Sequence, residues 1–162
     1  MIKGLLISLL VYSASTGIAK STTAEHTYND VLCLAKNIYF EARGSNLADQ
    51  IAVANVVLNR VNDNRYPNTV CDVVKQGIRD KAGNMIRHKC QFSWYCDGKS
   101  DTMRNTKEKE KAIELAKDII LGRHTDVTEG ATHYHATYVN PDWARSLQKV
   151  RHIGVHIFYR WE

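Results

Sequence analysis

Glu41 is the carboxylate whose place in this sequence best suits proton transfer. It lies in Ile38-Tyr39-Phe40-Glu41-Ala42-Arg43-Gly44, at the end of a stretch with helical periodicity and just before a glycine that stops it. The negative end of a helix dipole and the apolar neighbours both disfavour a second negative charge there, which holds the carboxyl toward its protonated, acidic form. Arg43 opposes that shift if its guanidinium reaches the carboxylate, and a surface Glu41–Arg43 pair is the plain structural alternative. Histidine supplies a rival constellation. His133 and His135 alternate on one strand face, and with His156 from a later strand they would make three metal ligands for a peptidase or nuclease. Neither H-E-x-x-H nor an acidic signature accompanies them.

The elements that must position these groups follow from apolar spacing. From Asp30, a candidate N-cap, Val31, Leu34, Ala35, Ile38, Tyr39 and Ala42 mark one helical face that ends at Gly44. Leu47 to Val61 repeats the period with Ala and Val between, the mark of a largely buried helix. Its Asn55, Asn59 and Arg60 are either structural hydrogen-bonders or cleft residues. Thr69 to Gln76 allows about two helical turns. Arg79 to Asp101 has no clean period and reads as a long functional loop holding two cysteines. Asn105 or Thr106 caps a charged helix running to Gly122. The pattern then changes to strands, over Ala131 to Tyr138 and in two runs within Lys149 to Tyr159 around Gly154. Helices first and strands last predict an α+β domain.

Length and charge bound the rest. The chain has 162 residues, about one domain. With 44% hydrophobic and 24% charged residues it is globular material, neither disordered nor multi-spanning. Residues 1–19 read as an export signal: a basic start at Lys3, an apolar run from Gly4 to Val11, then small residues ending at Ala19, with cleavage after Ala24 a second option. The net charge of +5 falls to +4 when that segment and its one cation are removed, which favours an acidic partner. In an exported chain, Cys33, Cys71, Cys90 and Cys96 imply two disulfides, with three pairings open. They lack the paired short spacings of a zinc site.

Several motifs in order resemble one family. Asn37 to Gly44, Gln50 to Val61 and Tyr66-Pro67-Asn68-Thr69-Val70-Cys71 are similar to the SleB/CwlJ cell wall hydrolases, peptidoglycan-cleaving enzymes related to spore-cortex lytic enzymes. Cys90-Gln91-Phe92-Ser93-Trp94-Tyr95-Cys96 resembles the Q-F-S/T segment of their cysteine-bearing exported members. Tyr134, Asn140-Pro141, Trp143 and Gly154-Val155-His156-Ile157-Phe158 resemble the aromatic-N-P and G-x-H-x-F elements. The family's E-A-R-G-E ends here in Ser45, which removes one acidic neighbour of Glu41.

The resemblance implies a helical lobe packed on a small antiparallel sheet, with a lysozyme- or transglycosylase-like cleft between them and Glu41 as general acid and base. Gln91, Ser93, Tyr134, Asn140 and His156 would bind sugar hydroxyls, and Trp94 or Trp143 would stack on a ring. Lytic transglycosylation needs a single carboxylate, whereas hydrolysis would need a second, for which Asp97, Asp101, Glu129 and Asp142 are candidates. Residues 20–162 would be one catalytic domain, exported to the periplasm or wall. It would act as a monomer on peptidoglycan glycan strands, with no cofactor, no nucleic acid and no membrane insertion once the signal is gone. A non-catalytic wall-binding module is the third class; it would bind sacculi and release nothing.

Overall fold

The computed structural model describes residues 19–162. The export signal expected over residues 1–19 lies outside the described residues apart from its last, Ala19. Helix α1 spans Ala19–Ala42, so Asp30 lies inside the helix and does not cap it. Gly44 follows in the left-handed region (φ 83°) and turns the chain out of the helix. α2, Leu47–Val61, is capped by the Asn46 side chain, which accepts a hydrogen bond from the Asp49 amide. The predicted helix over 69–76 shortens to α3, Val70–Val74, with Thr69 as its cap.

The stretch expected to be an irregular loop is ordered. It opens with an antiparallel hairpin of β1, Gly77–Arg79, and β2, Met85–Cys90, and continues into a 3₁₀ turn at Ser93–Cys96. The ribbon carries a register shift and a left-handed residue, His88 (φ 60°), so no period-two alternation survives for sequence to display. α4, Thr106–Ile120, is capped by Asn105. β3 (His133–Ala136), β4 (Gln148–Ile153) and β5 (His156–Arg160) form an antiparallel sheet in the order β3-β5-β4. A second 3₁₀ turn, Asp142–Ser146, crosses between β3 and β4. The expected α+β class holds, with helices on one side and a small sheet on the other.

Two apolar clusters join these layers. Leu34 and Ile38 of α1 pack with Val57, Val73, Leu115 and Ile119 in the helical lobe. Val53 and Val56 of α2 pack on Ala131 and Phe158 beneath the sheet. Fully burying a side chain of this size contributes about 1.5–3 kcal/mol, so the α2 stripe, apolar on both sides, is what fixes helical lobe to sheet. Disulfides Cys33–Cys71, between α1 and α3, and Cys90–Cys96, between β2 and the first 3₁₀ turn, brace the same body. No described helix is long and apolar enough to cross a membrane.

Candidate active site

Glu41 sits in the last turn of α1, where the helix ends against the sheet. Its side chain forms part of the wall of two adjoining hollows. The larger, about 990 Å³, is open and bounded by Phe40, Ser93, Asp97, Asn105, Tyr134 and His156 among others. The smaller, about 230 Å³, is bounded by Arg60, Gln91, Ser93, His133, Tyr134 and Trp143. A polymer lying across both would pass over Glu41.

The electrostatics favour an acid. Burial raises the Glu41 pKa above its ordinary 4.5, opposed by the Tyr134 hydrogen bond and by the nearby His156 and Arg60. The Tyr134 hydroxyl donates to Glu41 Oε2 at 3.0 Å. Burial, with Glu41 beside it, pushes the Tyr134 phenol well above its usual range, so it stays a neutral donor. Arg43 does not pair with the carboxylate: it is exposed, with its guanidinium 4.7 Å from the Tyr39 ring centroid. The surface ion pair weighed from sequence is therefore replaced by a half-buried carboxyl.

Arg60 is the cation nearest to a role here. Buried on α2, it donates through Nε to the Thr132 carbonyl at 2.7 Å and lies between the Tyr66 and Phe92 rings. Its Nη1 is buried without a partner among the described residues. Asn59 bonds Asp126, Thr128 and Ala131, and Asn55 accepts from the Val127 amide, so both hold the loop that leads into β3.

Behind the site lies a group that sequence reasoning missed. Asp49 is fully buried on α2, and its Oδ1 is 2.8 Å from His156 Nδ1. His156 in turn meets the Tyr134 ring edge-on, at 5.1 Å between centroids. A chain of contacts thus runs Asp49, His156, Tyr134, Glu41. The signal was present, since Asp49, Val53, Val56 and Arg60 fall on one helical stripe and a carboxylate amid apolar residues needs a partner.

The other expected sugar-binding residues separate. Gln91 and Ser93 line the hollows beside Glu41. Asn140 is exposed in the loop after β3 and is not among the residues lining either hollow. Trp94 is buried, stacked on Phe40 at 4.8 Å and donating to Asn37 Oδ1, so its chief role is packing. Trp143 is 37% exposed and lines the smaller hollow. Asp97 and Asp101 border the larger hollow, whereas Glu129 pairs with Arg151 and Asp142 lies near Arg145.

The three-histidine metal site is not formed. In the β3–β5 ladder Ala136 faces His156, while His133 faces Tyr159 and His135 faces Ile157. Directly paired residues share a sheet face, so His156 lies on the opposite face from His133 and His135. His135 instead bonds the Tyr159 hydroxyl, and burial, followed by Arg60 and Arg65, lowers His133 to about 4. Among the described residues no cluster of three His, Cys, Asp or Glu is placed to hold a metal.

Comparisons with known proteins agree with this fold. The structure is similar to the catalytic domain of the germination-specific lytic transglycosylase SleB from Bacillus anthracis, with TM-score 0.59 and 28% identity over 82% of this chain and 94% of that one. It is similar also to the catalytic domain of Bacillus cereus SleB, with TM-score 0.57 and 30% identity over 82% of this chain and 90% of that one. The spore cortex-lytic enzyme of Bacillus subtilis is 31% identical over 146 residues, 87% of this chain and 41% of that protein. The chain thus spans about two fifths of the length of the curated relatives it matches. Residues 44–159 match the family described as Cell Wall Hydrolase, a span that begins just after Glu41 and takes in α2, the hairpin and the whole sheet. A helical lobe set on that sheet, with the ordered motifs along both, places the chain in the cell wall hydrolase family.

Proposed function

We propose that this protein cleaves the glycan strands of peptidoglycan by lytic transglycosylation, with Glu41 as the single acid and base. The observation that carries the reading is the half-buried Glu41, raised in pKa and hydrogen-bonded by Tyr134 where two hollows meet. Protonated Glu41 gives its proton to the glycosidic oxygen as the bond from that oxygen to the anomeric carbon breaks. The substrate's own 6-hydroxyl then closes on the anomeric carbon, and its proton passes to the Glu41 carboxylate. No water is consumed, and the acid is regenerated for the next turnover.

The surroundings support a one-carboxylate route. Asp49 is spent on His156, and Asp97 and Asp101, which also line the larger hollow, make no hydrogen bond to Glu41. Tyr134 and Arg60 stabilise the carboxylate formed at the moment of proton transfer. Gln91, Ser93 and His156 offer amide, hydroxyl and imidazole groups to sugar hydroxyls. Residues 20–162 act as one exported, monomeric catalytic domain, working outside the cytoplasm after a signal over residues 1–19 is removed.

Mass spectrometry of the products released from purified sacculi tests this directly. Muropeptides ending in anhydro-muramic acid, absent with Glu41→Gln, are the expected result. Reducing-end sugars would show hydrolysis and call for a second carboxylate.

A further inference from the structure

The β1–β2 hairpin carries much of the chain's charge imbalance. Residues 77–90 hold Arg79, Lys81, Arg87 and Lys89 against one acid, Asp80, a formal +3 of the total +5. All four cations are exposed. None of them makes an ion pair among the described residues: Arg79 donates to the Gly83 carbonyl and Arg87 to the Asp97 carbonyl. Asp80 offsets only one of them, and its carboxylate is turned into the hairpin turn, accepting from the Ala82 and Asn84 amides. A two-stranded ribbon exposes most of its surface, so this net charge of +3 faces solvent.

The ribbon is also fixed in place beside the catalytic hollows. The Gln91 amide donates to the Gln76 carbonyl at its base, and Cys90–Cys96 ties β2 to the turn that carries Ser93. Arg87 donates to the Asp97 carbonyl and lies close over Gly98, where a Cβ would stand 3.0 Å from the Arg87 guanidinium carbon. Asp97 and Ser93 border the larger hollow, and Gln91 and Ser93 the smaller. The cationic ribbon therefore rises from the wall of the site rather than from a remote face.

We propose that this hairpin is a second, non-catalytic docking surface that binds the carboxylate-bearing stem peptides of the polymer whose sugar backbone crosses Glu41. This rests on the cleavage reading above. A glycan strand offers neutral sugar rings to the hollows, while its peptide arms bear the anionic groups. Unpaired guanidinium and ammonium groups beside the hollows complement those carboxylates. The surface raises local substrate concentration and selects strands that keep their peptides, without taking part in proton transfer.

The test compares two triple variants of equal charge change in the full chain. Arg79→Gln/Lys81→Gln/Lys89→Gln neutralises the hairpin, and Lys107→Gln/Lys109→Gln/Lys117→Gln removes three exposed cations from α4. Binding is measured by pelleting in a Glu41→Gln background, on intact sacculi and on sacculi stripped of stem peptides by an amidase. The hairpin variant is expected to lose about tenfold in affinity for intact sacculi at low salt and the α4 variant about twofold or less. On stripped strands all three proteins should bind alike, and the hairpin variant with Glu41 intact should cleave them at the wild-type rate. Equal losses for the two variants on intact sacculi, or a hairpin loss that persists on stripped strands, overturns the proposal. So does wild-type binding to phosphatidylglycerol vesicles tighter than to intact sacculi, which would make the hairpin a membrane contact. Lys81→Glu/Lys89→Glu, which leaves the Arg79 contact in the turn, repeats the comparison should the triple variant melt early. Failure of the wild-type protein to release product from either substrate would instead defeat the cleavage reading, whatever the binding shows.

Discussion

His156 Nδ1 lies 2.8 Å from Asp49 Oδ1, joining the last strand of the sheet to the first turns of α2. Gly154, at φ 58°, lets the β4–β5 turn fold down onto that pair: a Cβ at this position would stand 2.6 Å from Asp49 Cβ. The backbone close approach and the Asp49–His156 contact thus share the same space.

Gly154→Ala should therefore cost about 2 kcal/mol or more, from the left-handed backbone together with the displaced Asp49. Asp49→Ala should cost about 1–3 kcal/mol by leaving the His156 imidazole buried without its hydrogen-bond partner. Thermal denaturation checks both, and a fall of less than a degree or two in the midpoint for Asp49→Ala would show the pair to be dispensable.

Glu41→Gln is expected to lower the turnover rate by at least about a hundredfold while raising stability near neutral pH. Because the folded-state pKa is raised above 4.5, the unfolded chain releases this proton first as pH rises. Stability contributed below 4.5 is then lost as pH climbs through the folded value, and the amide removes that loss. Melting curves should place the variant above wild type at about pH 7 and level with it at about pH 4.

Tyr134→Phe removes a hydrogen bond that stabilises the Glu41 carboxylate, leaving His156 and Arg60 as the remaining groups that lower its pKa. The alkaline limb of the pH–rate profile, which reports loss of the protonated acid, should move to higher pH. The maximal rate should fall about tenfold or more, in line with a hydrogen bond to a charged group. An unshifted limb with a uniformly lower rate would reduce Tyr134 to packing.

The two disulfides should differ in worth. Cys33–Cys71 closes a separation of 38 residues and Cys90–Cys96 one of 6. On chain entropy alone the first contributes about 4 kcal/mol and the second about 2 kcal/mol. Paired serine substitutions, compared by urea denaturation, should show the larger loss at Cys33/Cys71. The reverse order would mean that strain or residual unfolded-state structure outweighs loop length.

Local pattern determined much of this protein from sequence alone. The period of apolar residues laid out α1, α2 and α4, and Gly44 ended the first helix, which put Glu41 in its last turn. These are near-neighbour effects, and spacing carries them. Three features needed the tertiary structure because each depends on residues far apart in the chain. The partner of Asp49 is 107 positions away, so the sequence displays only an unexplained acid on an apolar stripe. The histidine triad was dissolved by strand register, since His156 pairs across from Ala136 and so faces away from His133 and His135. The charged hairpin escaped notice because a register shift and the left-handed His88 erase the alternation by which a strand is read. Side-chain type and spacing decide which groups are available, but only the register and packing of distant segments decide which of them meet.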